Sequence, residues 1–227
     1  IGSISLLSKF YLKKEELTFQ TQNIDSINIF TADGKFRYKD SANSIEARLT
    51  GKKIQLSIIE PYLADIFDEF KGIASASLNI SGNQKHQTLQ GEVNIDSAAL
   101  KLEVTQCKYK LNKQKIIFSD DAIEFPYLQL TDTLKNTVTL NGKITHDFFN
   151  AFRFDNIRLE SGKVALLNTS KINNRECYGQ IIGKAIVSIN GSDDNVVIDI
   201  SGEPSNYDSS HLYINTSSGG KESSKTD

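Results

Sequence analysis

Between residues 74 and 81 small and aliphatic side chains take turns with polar ones: Ala74, Ala76, Leu78 and Ile80 stand against Ser75, Ser77, Asn79 and Ser81. A period of two places the first set on one face of an extended strand. The pattern returns along the chain. Gly91 opens a strand carrying Val93 and Ile95. Val138, Leu140, Gly142 and Ile144 form another, and Phe152 with Phe154, then Val164 with Leu166, continue it. Shorter strands are predicted near 98 to 104, 107 to 112, 116 to 118, 123 to 125 and 127 to 130. A closing pair, 183 to 190 with Val187 and Ile189 and then 195 to 201, is joined by the turn-forming run Gly191, Ser192, Asp193, Asp194. A last strand spans 212 to 214.

Upstream, the same period appears in Phe10 and Leu12, Leu17 and Phe19, Phe36 and Tyr38, then Ile45, Ala47 and Leu49, and Ile54, Leu56 and Ile58. Ala32, Asp33 and Gly34 read as a tight hairpin, and Thr50, Gly51 and Lys52 as a second reversal. One stretch breaks the period. Ile59, Leu63, Ile66, Phe67 and Phe70 recur at helical spacing with Glu60, Asp65, Asp68 and Glu69 off the stripe, Pro61 in the first turn and Gly72 at the stop. This predicts one amphipathic helix near 59 to 71 that packs on the sheet. The expected layout is a single all-β unit over 1 to 215: a strand meander to 58, the helix, and the main strand array from 72. A Ser-, Gly- and Lys-rich tail from 216 to 227 is expected to be disordered. Two similar segments, 74 to 82 and 183 to 191, suggest a stack of strand pairs, each needing neighbours to bury its apolar face.

Composition removes several function classes. The net charge is -2, and the lysines alternate with acids, which gives no basic face for nucleic acid. No apolar run reaches the roughly 20 residues that cross a bilayer. The chain has neither an initiating Met nor a signal peptide, and reads as a piece of a longer protein. Cys107 and Cys177 lack metal-ligand spacing and read as two unpaired structural thiols. His86, His146 and His211 have no ligand partner at useful spacing and read as surface residues. Asp120 with Asp121 and Asp193 with Asp194 read as turn residues rather than calcium or acid-base pairs. No serine sits in a nucleophile elbow, and no Gly-rich phosphate loop is present. The crowd of Phe148, Phe149, Phe152 and Phe154 fits core filling better than a sugar platform, since the chain has no Trp. No catalytic signature emerges, and no metal or cofactor is called for.

Longer runs carry a resemblance. The stretch 140 to 155 (Leu-Asn-Gly-Lys-Ile-Thr-His-Asp-Phe-Phe-Asn-Ala-Phe-Arg-Phe-Asp), followed by Leu166, Leu167, Asn168 and Thr169, by Tyr178 and Gly179, and by the segment 183 to 191, is similar to the C-terminal domain of the TamB family of Bacteroidota type. So are Glu60, Pro61, Tyr62 and Leu63 with the apolar stripe and Gly72, the Gly82 to Gly91 hairpin, Ala99 to Leu102, and Leu128 to Asp132 before Thr139 to Gly142. The resemblance covers about 58 to 214. It departs in the link between Gly82 and Gly91, where relatives often carry a Pro, and it fades after Ile214.

That resemblance implies an elongated, curved antiparallel sheet, taco-like in section and lined by apolar side chains. It implies a periplasmic part of a long envelope protein anchored in the inner membrane and linked to outer-membrane assembly and phospholipid movement. On this reading Ala74, Ala76, Leu78, Ile80, Val93, Ile95, Leu140, Ile144, Val187 and Ile189 line a lipid groove whose partners are phospholipid acyl chains. If about 12 strands stack at about 4.8 Å each, the trough is roughly 55 Å long. The alternative is a scaffold that offers a sheet edge to an outer-membrane barrel by β-augmentation. A polysaccharide-active enzyme is disfavoured by the absence of an acid pair. Alternation by itself does not distinguish an open groove from a filled core.

Overall fold

The computed structural model describes residues 4–23, 29–39, 44–64, 66–83, 85–147, 150–192, 194–206 and 210–215. The strands are β1 (Ile4–Tyr11), β2 (Glu16–Asn23), β3 (Phe30–Arg37), β4 (Ile45–Gln55), β5 (Phe67–Gly82), β6 (Gln87–Leu102), β7 (Lys108–Ser119), β8 (Ala122–Asp132), β9 (Thr137–Asp147), β10 (Asn150–Ser161), β11 (Val164–Thr169), β12 (Cys177–Ser192), β13 (Asn195–Pro204) and β14 (His211–Ile214). They form one 14-stranded antiparallel sheet, in sequence order from β1 to β10 and then β12 and β11, with β13 and β14 also on β12. The sheet does not close into a barrel. Its shape is an open trough.

The expected all-β class holds, but three local expectations do not. The stretch 59 to 71 is not an α-helix. It is two single 3₁₀ turns, Leu56–Ile58 and Glu60–Tyr62, after which β5 begins at Phe67. A helix of that length has little stability of its own. Phe67 and Phe70 instead pair with Leu102 and Leu100, extending the ladder between two 16-residue strands. The apolar spacing was satisfied twice over, because a bulge between Phe67 and Glu69 keeps both rings on the sheet's inner side. Gly34 is not a turn either. It sits inside β3 under the Phe19 ring, where a Cβ would lie 2.7 Å from Phe19 Cζ. Gly51 likewise lies within β4, at a register shift rather than a reversal.

Several short predicted strands fuse. The segment 91 to 96 and the part of 98 to 104 up to Leu102 belong to β6, 116 to 118 and 107 to 112 from Lys108 on to β7, and 123 to 125 and 127 to 130 to β8. What separates the pairs in β6 and β8 is a bulge, and in β7 it is the left-handed Lys113. Register shifts fall between Gly51 and Ile54, Ile73 and Ala74, Phe125 and Leu128, and Asp155 and Arg158. Lys113 (φ 52°) and Asn156 (φ 49°) supply left-handed residues on the same line. Bulges bend the strand that carries them, so this file of bulges is a crease. It divides the sheet into two arms. The tail from 216 and the Phe148 and Phe149 positions lie outside the described residues.

The compact core sits on one arm. Phe70, Ala98, Leu100, Cys107, Tyr109, Leu111, Leu130, Val138 and Val164 are buried together, with Leu56 and Leu63 of the turn segment packed on them. Among the described residues no helix is long and apolar enough to cross a membrane.

Candidate functional site

Antiparallel pairing tells which side chains share a face. Leu6 pairs with Thr21, Thr21 with Ala32, Ala32 with Leu49 and Leu49 with Leu78. The row continues through Gly91, Phe118, Ile123, Ile144, Phe154 and Gly191 to Val196. A parallel row runs from Phe30 through Gly51, Ala76 and Val93 to Ile116. On the far strands Leu128, Leu140, Leu159, Val187 and Ile200 form a third, and Ile157, Ile189 and Ile198 a fourth. All of the groove residues expected from the sequence therefore lie on one face, which is mostly apolar from β1 to β13, with polar members such as Ser8, Thr21 and Gln114. Sequence reasoning missed Phe118, Ile123 and Phe154 as members of these rows. Their alternation was visible, but only the register assigns them to this face.

The face is not uniform. Ala74, Ala76 and Ile95 are buried, at 2%, 6% and 4% exposure, in or beside the core. Leu78, Ile80, Val93, Leu140, Ile144, Val187 and Ile189 are half-buried. Val93 and Leu140 still touch the core cluster, whereas Leu78, Ile80 and Ile144 lie on the other arm. In β5 and β6 the change falls just past the crease, between Ala76 and Leu78. One arm is covered by its own chain, and the other presents an apolar surface.

The cover is built by polar contacts that no periodicity foreshadowed. The Tyr109 hydroxyl donates to the Ala165 carbonyl at 2.7 Å, and the Ala165 N–H donates to Asp132 Oδ2 at 3.0 Å. Asn168 N–H reaches the Thr105 carbonyl at 2.9 Å. Together they draw β11 onto the start of β7 and the end of β8. Asp132, buried at 4% exposure, also accepts from the Leu134 and Asn136 N–H groups at 2.8 Å each, so its carboxylate is held by backbone donors. Burial pushes the Tyr109 phenol and the Cys107 thiol above their ordinary values.

The opposite face is polar. Arg37 bridges Glu16 at 3.2 Å and Glu46 at 2.9 Å, and Lys35 meets Glu46 at 2.7 Å. The Lys35 ammonium, together with Arg37, holds the Glu46 carboxyl below its usual range. Two shallow concavities of about 730 Å³ and 540 Å³ open on this side, over β1 to β5 and over the β8 to β12 bulges. His146 departs from the surface placement expected of it: it is 6% exposed and meets the Phe152 ring edge-on at 5.9 Å. Cys107 is buried and Cys177 partly exposed, both as free thiols. Among the described residues no group of three or more His, Cys, Asp or Glu side chains could hold a metal. Comparison with known proteins returns no match: no family model, curated protein or solved structure aligns with the chain.

Proposed function

We propose that the uncovered arm of the trough takes up phospholipid acyl chains, and that the protein is a non-enzymatic carrier in lipid movement between the membranes of a cell envelope. The observation that carries this reading is the row from Leu6 through Leu78, Ile123 and Ile144 to Val196, apolar but for Thr21, on a sheet that stays open. Apolar surface of that extent needs an apolar partner, at roughly 25 cal/mol for each Å² removed from water. The similarity to the TamB family in 140 to 155 and 183 to 191 agrees with it, and with a periplasmic setting in a longer, membrane-anchored chain. No cofactor enters the reading.

A second reading has its own observation. β13 pairs on one side only, and Val196, Val197, Ile198 and Ile200 along it are exposed. Such an edge suits strand addition by a partner barrel. Photo-crosslinking separates the two. A probe at Leu78 or Ile144 captures co-purifying phospholipid if the face carries acyl chains, and a probe at the buried Ala74 does not. Lipid captured nowhere on the open arm, with protein captured at Ile198, would replace the first reading by the second.

A further inference from the structure

The pairing brings one set of hairpin turns to a single rim of the open arm. Tyr11 pairs with Glu16, Phe36 with Ile45, Gly82 with Gln87, Ser119 with Ala122, Asp147 with Asn150 and Ser192 with Asn195, each pair closing a turn at the same end of the sheet. Among the described residues of the first three turns stand Lys13, Lys14, Lys39 and Lys85, against Glu15, which Lys39 pairs with. The later turns carry Asp120, Asp121, Asp147 and Asp194. Charge is thus segregated along the rim, although the whole chain is nearly neutral at -2.

The basic half also carries exposed apolar and aromatic groups. Leu12, at the tip of the first turn, is 79% exposed, and Tyr38 is 60% exposed. Tyr38 lies edge-on to Phe10 at 5.6 Å and to Phe36 at 4.9 Å, and Lys14 Nζ stands 5.9 Å from the Tyr11 ring centre. Phe10 and Phe36 belong to the apolar face itself, through the pairs Phe10 with Leu17 and Leu17 with Phe36. An exposed leucine flanked by tyrosines and lysines is the residue mixture of a lipid-water interface: the rings sit at headgroup depth and the ammonium groups meet phosphate.

We propose that the tips of the β1–β2 and β3–β4 hairpins dock on an anionic lipid bilayer. Leu12 enters the headgroup region, with Tyr11 and Tyr38 beside it, and Lys13 and Lys14 contact phosphate. The acidic turns are repelled by the same surface. The trough then meets the membrane at its β1 end, where the apolar face is continuous with the inserted tip. Docking goes beyond the acyl-chain reading, because a sheet with a different cargo could dock in the same way.

The test uses the full chain and vesicles of phosphatidylcholine, alone or mixed with phosphatidylglycerol. The expected result is flotation with the anionic vesicles only, weakened by salt. Lys13→Glu with Lys14→Glu should weaken binding by at least about tenfold, and Leu12→Ser should weaken it several-fold. Lys52→Glu with Lys53→Glu, the same charge change away from the rim, should leave it intact. Equal binding to both vesicle types, no binding to either, or an equal loss in the Lys52 and Lys53 variant overturns the proposal. So does self-association that depends on Lys13 and Lys14 in a chain indifferent to vesicles. Crosslinking of a dispersed short-chain phospholipid at Leu78 tests the acyl-chain reading without a bilayer, so the two can fail separately.

Discussion

Tyr109 and Asp132 are polar residues that hold an apolar core shut. Their two bonds to Ala165 use both the N–H and the carbonyl of one half-buried β11 residue, and Tyr109 and Asp132 are themselves buried. Tyr109→Phe should therefore cost about 1–3 kcal/mol, because the Ala165 carbonyl loses its donor; urea unfolding would measure it. The pH dependence follows from the raised phenol and thiol. A free tyrosine ionises near pH 10 and a free cysteine near 8.5. Both folded values lie higher, so their contribution is complete below those unfolded values and is lost as pH rises toward the folded ones. Melting temperature should fall in alkali from about pH 9 upward. In Tyr109→Phe the part of that fall beginning near pH 10 should shrink.

At the scale of the element, the crease decides how the strands are used. Gly142 sits on it with φ 129°, and a Cβ there would lie 2.6 Å from the Ile157 Cα. Neither the conformation nor the backbone neighbour can yield easily. Gly142→Ala should destabilise by about 2 kcal/mol or more, read as a shift of the unfolding midpoint with the slope unchanged. The same scale explains what the sequence made legible. Alternation in Ala74 to Ile80 or Val138 to Ile144 is a property of the strand and was readable directly. The fusion of 91 to 96 with 98 to 104 was not, because a bulge at Asp96 breaks the period while the backbone ladder goes on. The apolar spacing of Ile59 to Phe70 fitted a helix, and the competing outcome depended on Leu100 and Leu102, some 30 residues away in the chain.

For the whole molecule, buried and half-buried positions of the same apolar face should respond differently to one substitution. Ala76→Asp places a carboxylate where exposure is only 6%, among apolar neighbours, and should prevent folding or cost several kcal/mol. Leu78→Asp, one strand period further on, enters a half-buried position on the open arm. It should stay folded, because the carboxylate can remain hydrated, and should lose lipid crosslinking at neighbouring inward sites. Paired melting curves and crosslinking yields check both. If Leu78→Asp unfolds as readily as Ala76→Asp, the second arm is a filled core and the acyl-chain reading falls.

The sequence by itself determined that nearly every strand has one apolar side, since a period of two is written residue by residue and needs no partner. It also placed the hairpin at Gly191 to Asp194 and the late strand at 212 to 214, where turn chemistry is local. Only the tertiary structure decided that Ala74 and Ile95 are sealed while Leu78, Ile80 and Ile144 are open, and that His146 is buried. Those outcomes rest on strand register, on bulges aligned across neighbouring ladders, and on contacts such as Tyr109 with Ala165 that join residues 56 positions apart. Local pattern carries no record of such distant partners.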